Sequence, residues 1–118
     1  VHLANAGFPL ALLASAGSLR PVDTGGMPLG MWPGVTYTTR TLRVSPGDIL
    51  ILCSDGLMEA RNERGEVFET SRMRAAIDEL ASQPAEQIAA GLNKAALEFA
   101  RGDKSQEDDY TTVVLKFL

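Results

Sequence analysis

The sequence has one cysteine, one histidine, one tryptophan and few aromatic residues of any kind, and each scarcity closes off a class of function. With Cys53 alone, neither an intrachain disulfide nor a cysteine-rich zinc site can be built. That suits a reducing compartment, and the expected location is cytoplasmic. Positive charge is also short: 11 Lys and Arg stand against 15 Asp and Glu, a formal net charge of −4. No basic stripe is available to neutralise a phosphate backbone, so a nucleic-acid partner is not expected. Long apolar runs are missing too. Glycine, proline or charge interrupts each one well short of the about 20 residues of a membrane-spanning helix, and no charged leader precedes an apolar run. Neither a membrane span nor a signal segment is expected. An initiator methionine is absent as well. The opening Val1-His2-Leu3-Ala4 reads as a piece cut from something longer.

What remains is enough for a single small domain. A chain of 118 residues, 45% apolar and 22% charged, buries a modest core. Short apolar runs alternate with turn residues at the start: Val1 to Ala4, Asn5-Ala6-Gly7, Pro9 to Ala14, then Ser15-Ala16-Gly17-Ser18. The spacing predicts two short strands joined as a hairpin. Gly and Pro crowd the stretch from Pro21 to Gly34, which predicts an ordered loop carrying Met31 and Trp32, to cover a core edge or to meet a partner. Val35 to Val44 is rich in Thr, Val and Tyr. It predicts a strand that turns at Ser45-Pro46-Gly47-Asp48 and pairs with the next one. That next run, Ile49-Leu50-Ile51-Leu52-Cys53, is apolar without alternation, the pattern of a central strand covered on both faces.

Helical texture follows. Thr70 or Ser71 is the expected cap of a helix through Leu80, and Pro84 the expected start of a second helix ending near Gly102. Tyr110 to Leu118 then returns to a strand. Strands, a helix pair and a closing strand predict an α+β fold with a mainly antiparallel sheet.

Carboxylates carry the candidate chemistry. Asp55 stands where a buried strand ends and the chain turns at Gly56, and Asp108-Asp109 stands just before the closing strand. Carboxylates without thiolate or imidazole neighbours select hard cations such as Mg²⁺ or Mn²⁺. By residue type and spacing alone, a plain turn at Asp55-Gly56 and a solvated loop at Asp108-Asp109 explain the same residues and are the stronger reading. Glu59 reads as an acid in a first helical turn, favoured there by the helix dipole. Asn5 is expected to organise its turn, His2 to sit on a sheet surface, and Cys53 to be a core residue.

Five fragments stand in order over nearly the whole chain: Asn5-Ala6-Gly7-Phe8-Pro9, Pro28-Leu29-Gly30, Pro46-Gly47-Asp48, Leu52-Cys53-Ser54-Asp55-Gly56-Leu57-Met58-Glu59-Ala60-Arg61-Asn62, and Gln106-Glu107-Asp108-Asp109-Tyr110-Thr111. Together they resemble the PPM family of metal-dependent protein serine/threonine phosphatases. More narrowly, they are similar to the bacterial branch that dephosphorylates anti-anti-sigma factors in stress response and sporulation. The resemblance implies an antiparallel β-sandwich flanked by helices, of which residues 1–118 are the C-terminal portion. It implies Asp55 and Asp108 as catalytic metal ligands in a two-metal Mn²⁺ or Mg²⁺ centre whose bridging water attacks the phosphorus. Gly56, Asp109, Glu59 and Asn5 are then candidates for supporting that centre.

Two departures accompany the resemblance. The family's bridging aspartate lies N-terminal to everything present, so a half-site with weak or absent metal binding is expected of this segment alone. Phe8 also stands where this branch commonly has histidine. The implied partner is a phosphorylated anti-anti-sigma-type regulator. A degenerate, non-catalytic domain acting as a regulatory interaction module is the alternative. Lacking its N-terminal half, the segment is expected to expose sheet edges and to pair as a homodimer.

Overall fold

A computed structural model describes residues 1–22, 25–101 and 110–118. Among these residues, two antiparallel sheets and three helices form an α+β arrangement. A four-stranded sheet has the order β3-β2-β5-β6, built from β2 (Leu10–Ser15), β3 (Ser18–Pro21), β5 (Ile49–Cys53) and β6 (Thr112–Lys116). A second sheet pairs β1 (His2–Ala4) with β4 (Thr39–Thr41). The helices are α1 (Asp55–Met58), α2 (Glu69–Leu80) and α3 (Ala85–Phe99).

Period-two alternation splits the core into two layers. On one face of the four-stranded sheet, Leu12, Ile49, Ile51 and Cys53 pack with Leu57, Met73, Ile77, Ile88 and Leu92 of the helices. On the other, Ala11, Leu13 and Leu50 pack with Val22, Leu42 and the partly buried Leu3 next to the β1–β4 pair. Strand β5 is therefore central and buried on both faces, as its unbroken apolar run predicts. Each of its fully buried Leu and Ile side chains contributes about 1.5–3 kcal/mol.

The helices are fixed to this sheet by side chains from elsewhere in the chain. Lys116 of β6 donates from Nζ to the carbonyls of Ala81 and Gln83 at 2.8 and 2.9 Å. It thus supplies the cation that the last turn of α2 lacks. Thr112 Oγ1 and Asn93 Oδ1, 2.6 Å apart, tie β6 to α3. Phe68 and Phe99 meet edge to face with centroids 5.7 Å apart, and the Arg72 guanidinium lies 4.5 Å from the Phe99 ring centre.

Four local expectations are corrected. The first hairpin is β2–β3 rather than β1–β2. Ala16 and Gly17 both have positive φ, 48° and 74°, the requirement of a two-residue turn whose twist matches its strands. Only a three-residue part of Val35 to Val44 is strand, and it pairs with β1. Both edges of β5 are already taken by β2 and β6, so β4 has no place beside it. Helix α2 starts at Glu69 with Phe68 at the cap position and no side-chain cap bond, so Thr70 and Ser71 lie inside the helix. Its start is set by Phe68, which is buried and donates its N–H to the Ala60 carbonyl. Glu59 is the C-terminal cap residue of α1, not a first-turn acid.

Candidate functional site

The candidate site is built where β5 and β6 meet the short helix α1. The register Cys53↔Thr112 continues for one more residue: Ser54 N–H donates to the Thr111 carbonyl at 2.9 Å, and Thr111 N–H donates to Ser54 Oγ at 3.0 Å. This double clamp ties the Ser54-Asp55-Gly56 turn to the first described residues of the final segment. Asp55 opens α1 and is exposed, whereas Gly56 and Leu57 behind it are buried. Gly56 N–H donates to Asp55 Oδ1 at 3.1 Å, holding the carboxylate over the turn. Burying Leu57 is what forces this turn, because α1 packs into the helical layer immediately after β5 leaves the sheet.

Asn5 behaves as expected. Its Nδ2 donates to the Phe8 carbonyl at 2.8 Å, and its Oδ1 accepts from Phe8 N–H at 2.7 Å. Leu10 pairs with Cys53, so this turn approaches the same end of the sheet as Asp55. Asn5's two hydrogen bonds to Phe8 lie within its own turn, and Asp55 lines neither of the two clefts around that turn. Phe8 is partly exposed on the same turn. His2 lies on β1, exposed, with Nδ1 3.1 Å from Thr41 Oγ1.

Asp108 and Asp109 lie outside the described residues. Among the described residues no group of three or more His, Cys, Asp or Glu side chains converges. An exposed carboxylate with Oδ1 held by a backbone N–H suits a hard, oxygen-preferring cation, so Asp55 fits the Mn²⁺ or Mg²⁺ chemistry as one ligand. Cys53 does not belong to this chemistry. It is fully buried, and burial pushes its thiol pKa up to about 11.

One feature of the site was not read from the sequence. The Asn5 turn is locked to the Gly/Pro loop: a Cβ on Gly26 would stand 2.0 Å from the Asn5 carbonyl oxygen, and one on Gly7 2.6 Å from Pro28 Cγ. Gly25-Gly26 reads in sequence as a loop signal, whereas its role here is close approach of two backbones. The tip beyond it leaves Met31 and Trp32 60% and 65% exposed, so neither covers a core edge.

The fold has solved relatives. The PP2C phosphatase domain of the Bacillus subtilis cell fate determinant SpoIIE superposes with a TM-score of 0.78 at 21% identity, over 98% of this chain and 33% of that one. The RsbU and RsbW domains of Rv1364c from Mycobacterium tuberculosis superpose with a TM-score of 0.72 at 26% identity, over 98% of this chain and 31% of that one. Protein IcfG of Synechocystis sp. is 36% identical over 70 residues, 58% of this chain and 11% of its own length. The chain thus spans about a tenth of that curated relative and about a third of each solved chain. Residues 1–118 match the family described as Stage II sporulation protein E (SpoIIE) throughout, and the chain belongs to that family, as a segment of a PPM-type phosphatase domain of the SpoIIE and RsbU branch.

Proposed function

We propose that this chain is the C-terminal portion, residues 1–118, of a metal-dependent phosphoserine and phosphothreonine protein phosphatase, with Asp55 and Asp108 as ligands of one metal ion. The observation that carries the reading is the Ser54–Thr111 clamp. It joins the turn bearing Asp55 to a residue three positions after Asp108 in the sequence. When bound, Mn²⁺ or Mg²⁺ would supply an activated water and offset the charge developing on the phosphoryl group. The protein's share is positional. Gly56 N–H fixes one carboxylate oxygen of Asp55, burial of Leu57 fixes the turn, and Asp109, next in sequence to Asp108, would accept a hydrogen bond from the metal-bound water. Glu59 at the end of α1 and Asn5 in its turn support the surrounding backbone.

The substrate class we favour is an anti-anti-sigma-type regulator in the cytoplasm. Support comes from the relative whose solved chain joins RsbU and RsbW domains, and the single buried cysteine is compatible with a reducing compartment. No helix among the described residues is long and apolar enough to cross a membrane. Homodimer formation is supported by the edge position of β6, whose Val113 and Leu115 remain 46% and 40% exposed.

The test is hydrolysis of an aryl phosphate with Mn²⁺ by the full-length protein and its Asp55→Asn variant. The expected result is activity in the parent and a loss of at least about a hundredfold in the variant, given the several kcal/mol a metal centre contributes to the transition state. An inactive parent that binds Mn²⁺ poorly would instead identify a non-catalytic regulatory module, the reading that Phe8 in place of histidine leaves open.

A further inference from the structure

A cleft between β3 and β4 carries a charge opposite to that of the chain as a whole. Arg20 and Pro21 of β3, Arg40 and Thr41 of β4, and Arg43 just beyond β4 line a volume of about 370 Å³. All three arginines are exposed, on a chain of formal net charge −4. Arg20 pairs across the sheet with Leu13, whose side chain belongs to the layer facing β1 and β4, so Arg20 stands on the side where Arg40 and Arg43 gather. Salt bridges elsewhere join Arg72 to Glu66, Arg74 to Asp78 and Lys94 to Glu98, and none of these takes in Arg20 or Arg43. Asp48 feels the Arg20 charge only as the last of four influences on its carboxyl.

The exposed guanidinium groups of Arg20 and Arg43 on this one cleft repel one another, and a ligand carboxylate relieves that repulsion while matching their fork geometry. The backbone adds a second feature. Among the described residues, β3 is an edge of the four-stranded sheet and β4 pairs only with β1. Two strand edges that do not pair with each other therefore flank the arginines, the arrangement that accepts an extended segment by main-chain hydrogen bonding.

We propose that this cleft docks an extended acidic segment of a partner protein, its carboxylates on Arg20 and Arg43 and its backbone along a strand edge. A bilayer is the poorer match, because anionic membranes are held by clusters of roughly 4–8 basic residues. A long nucleic acid would meet the net negative charge of the rest of the chain. The proposal goes beyond the phosphatase reading and does not depend on it, since docking requires nothing of Asp55.

The experiment uses the full-length protein and a fluorescein-labelled hexaglutamate peptide, read by fluorescence anisotropy at low and high salt. Saturable binding that high salt weakens is expected. In Arg20→Glu/Arg43→Glu the affinity should fall about tenfold, the size expected when two exposed ion pairs are turned into repulsions. Arg64→Glu/Lys94→Glu, which makes the same change in charge elsewhere, should bind as the parent does. If the first pair fails to fold, Arg20→Gln/Arg43→Gln removes the charge more gently and should still weaken binding about threefold. No saturable binding, or equal weakening in the control pair, would overturn the proposal. So would displacement of the peptide by inorganic phosphate or phosphatidylserine vesicles more readily than by unlabelled peptide.

Discussion

Replacing Gly26 by alanine tests the junction on which the Asn5 turn rests. The added Cβ would lie 2.0 Å from the Asn5 carbonyl oxygen, where ordinary contact begins at 3.4 Å, so the two loops must part by about 1.4 Å. The opposing atom is backbone, and the Asn5 turn is held by its own two hydrogen bonds to Phe8, so no side chain can swing away to absorb the clash. Forcing one extra carbon into such a contact costs about 1–3 kcal/mol. At about 4 °C per kcal/mol for a chain of this size, the melting temperature should fall by about 4–12 °C. Gly91→Ala is the matched control. Its Cβ would approach Leu80 Cδ1 to 2.5 Å, but that atom is the far end of a flexible side chain. Alanine within α3 also recovers about 0.5–1 kcal/mol of helix stability. Its melting temperature should stay within about 4 °C of the parent. Calorimetry or thermal circular dichroism on both variants decides the matter. An unchanged melting temperature in Gly26→Ala, or an equal fall in both, would refute the packing of these loops.

Two further outcomes follow from the electrostatics. Cys53, with its thiol pushed up to about 11, should resist alkylation in the native protein and react on unfolding. At pH 8 about one such thiol in a thousand is thiolate, against about one in four for an ordinary cysteine, before burial reduces access further. Rapid native-state labelling counted by mass spectrometry would contradict that environment. Asp48 has its pKa lowered below 3.8, first by the hydrogen bond from Ser45 N–H, then by Ser15, and only weakly by Arg20, against an opposing effect of burial. A lowered folded-state value means stability that is full above the unfolded pKa and lost as pH falls through the folded one. Urea unfolding should therefore show a destabilisation below about pH 3.8 that is smaller in Asp48→Asn. Equal acid sensitivity in both would remove Asp48 as its source.

Much of this protein was legible in its residues because the relevant forces are local. Ile49 to Cys53 reads as a doubly buried strand since unbroken apolar character is incompatible with a solvent-facing side, and Asn5 reads as a turn organiser since its amide reaches only its own backbone. The two helices were marked by their apolar stripes, and the exposed turn at Asp55 by the glycine that follows the end of a buried strand. Pairing was not local. Whether β1 lies beside β2 or β4 depends on which strand edges remain open after β5 is flanked on both sides, and no window of sequence contains that competition. The start of α2 likewise went to Phe68, where burial against Phe99 outweighed the hydroxyl caps available two and three residues later. The contact of Gly26 with Asn5, the Ser54–Thr111 clamp and the gathering of Arg20, Arg40 and Arg43 were decided by the tertiary fold alone. Each joins residues about 20 or more positions apart, and only packing brings such residues within reach of one another.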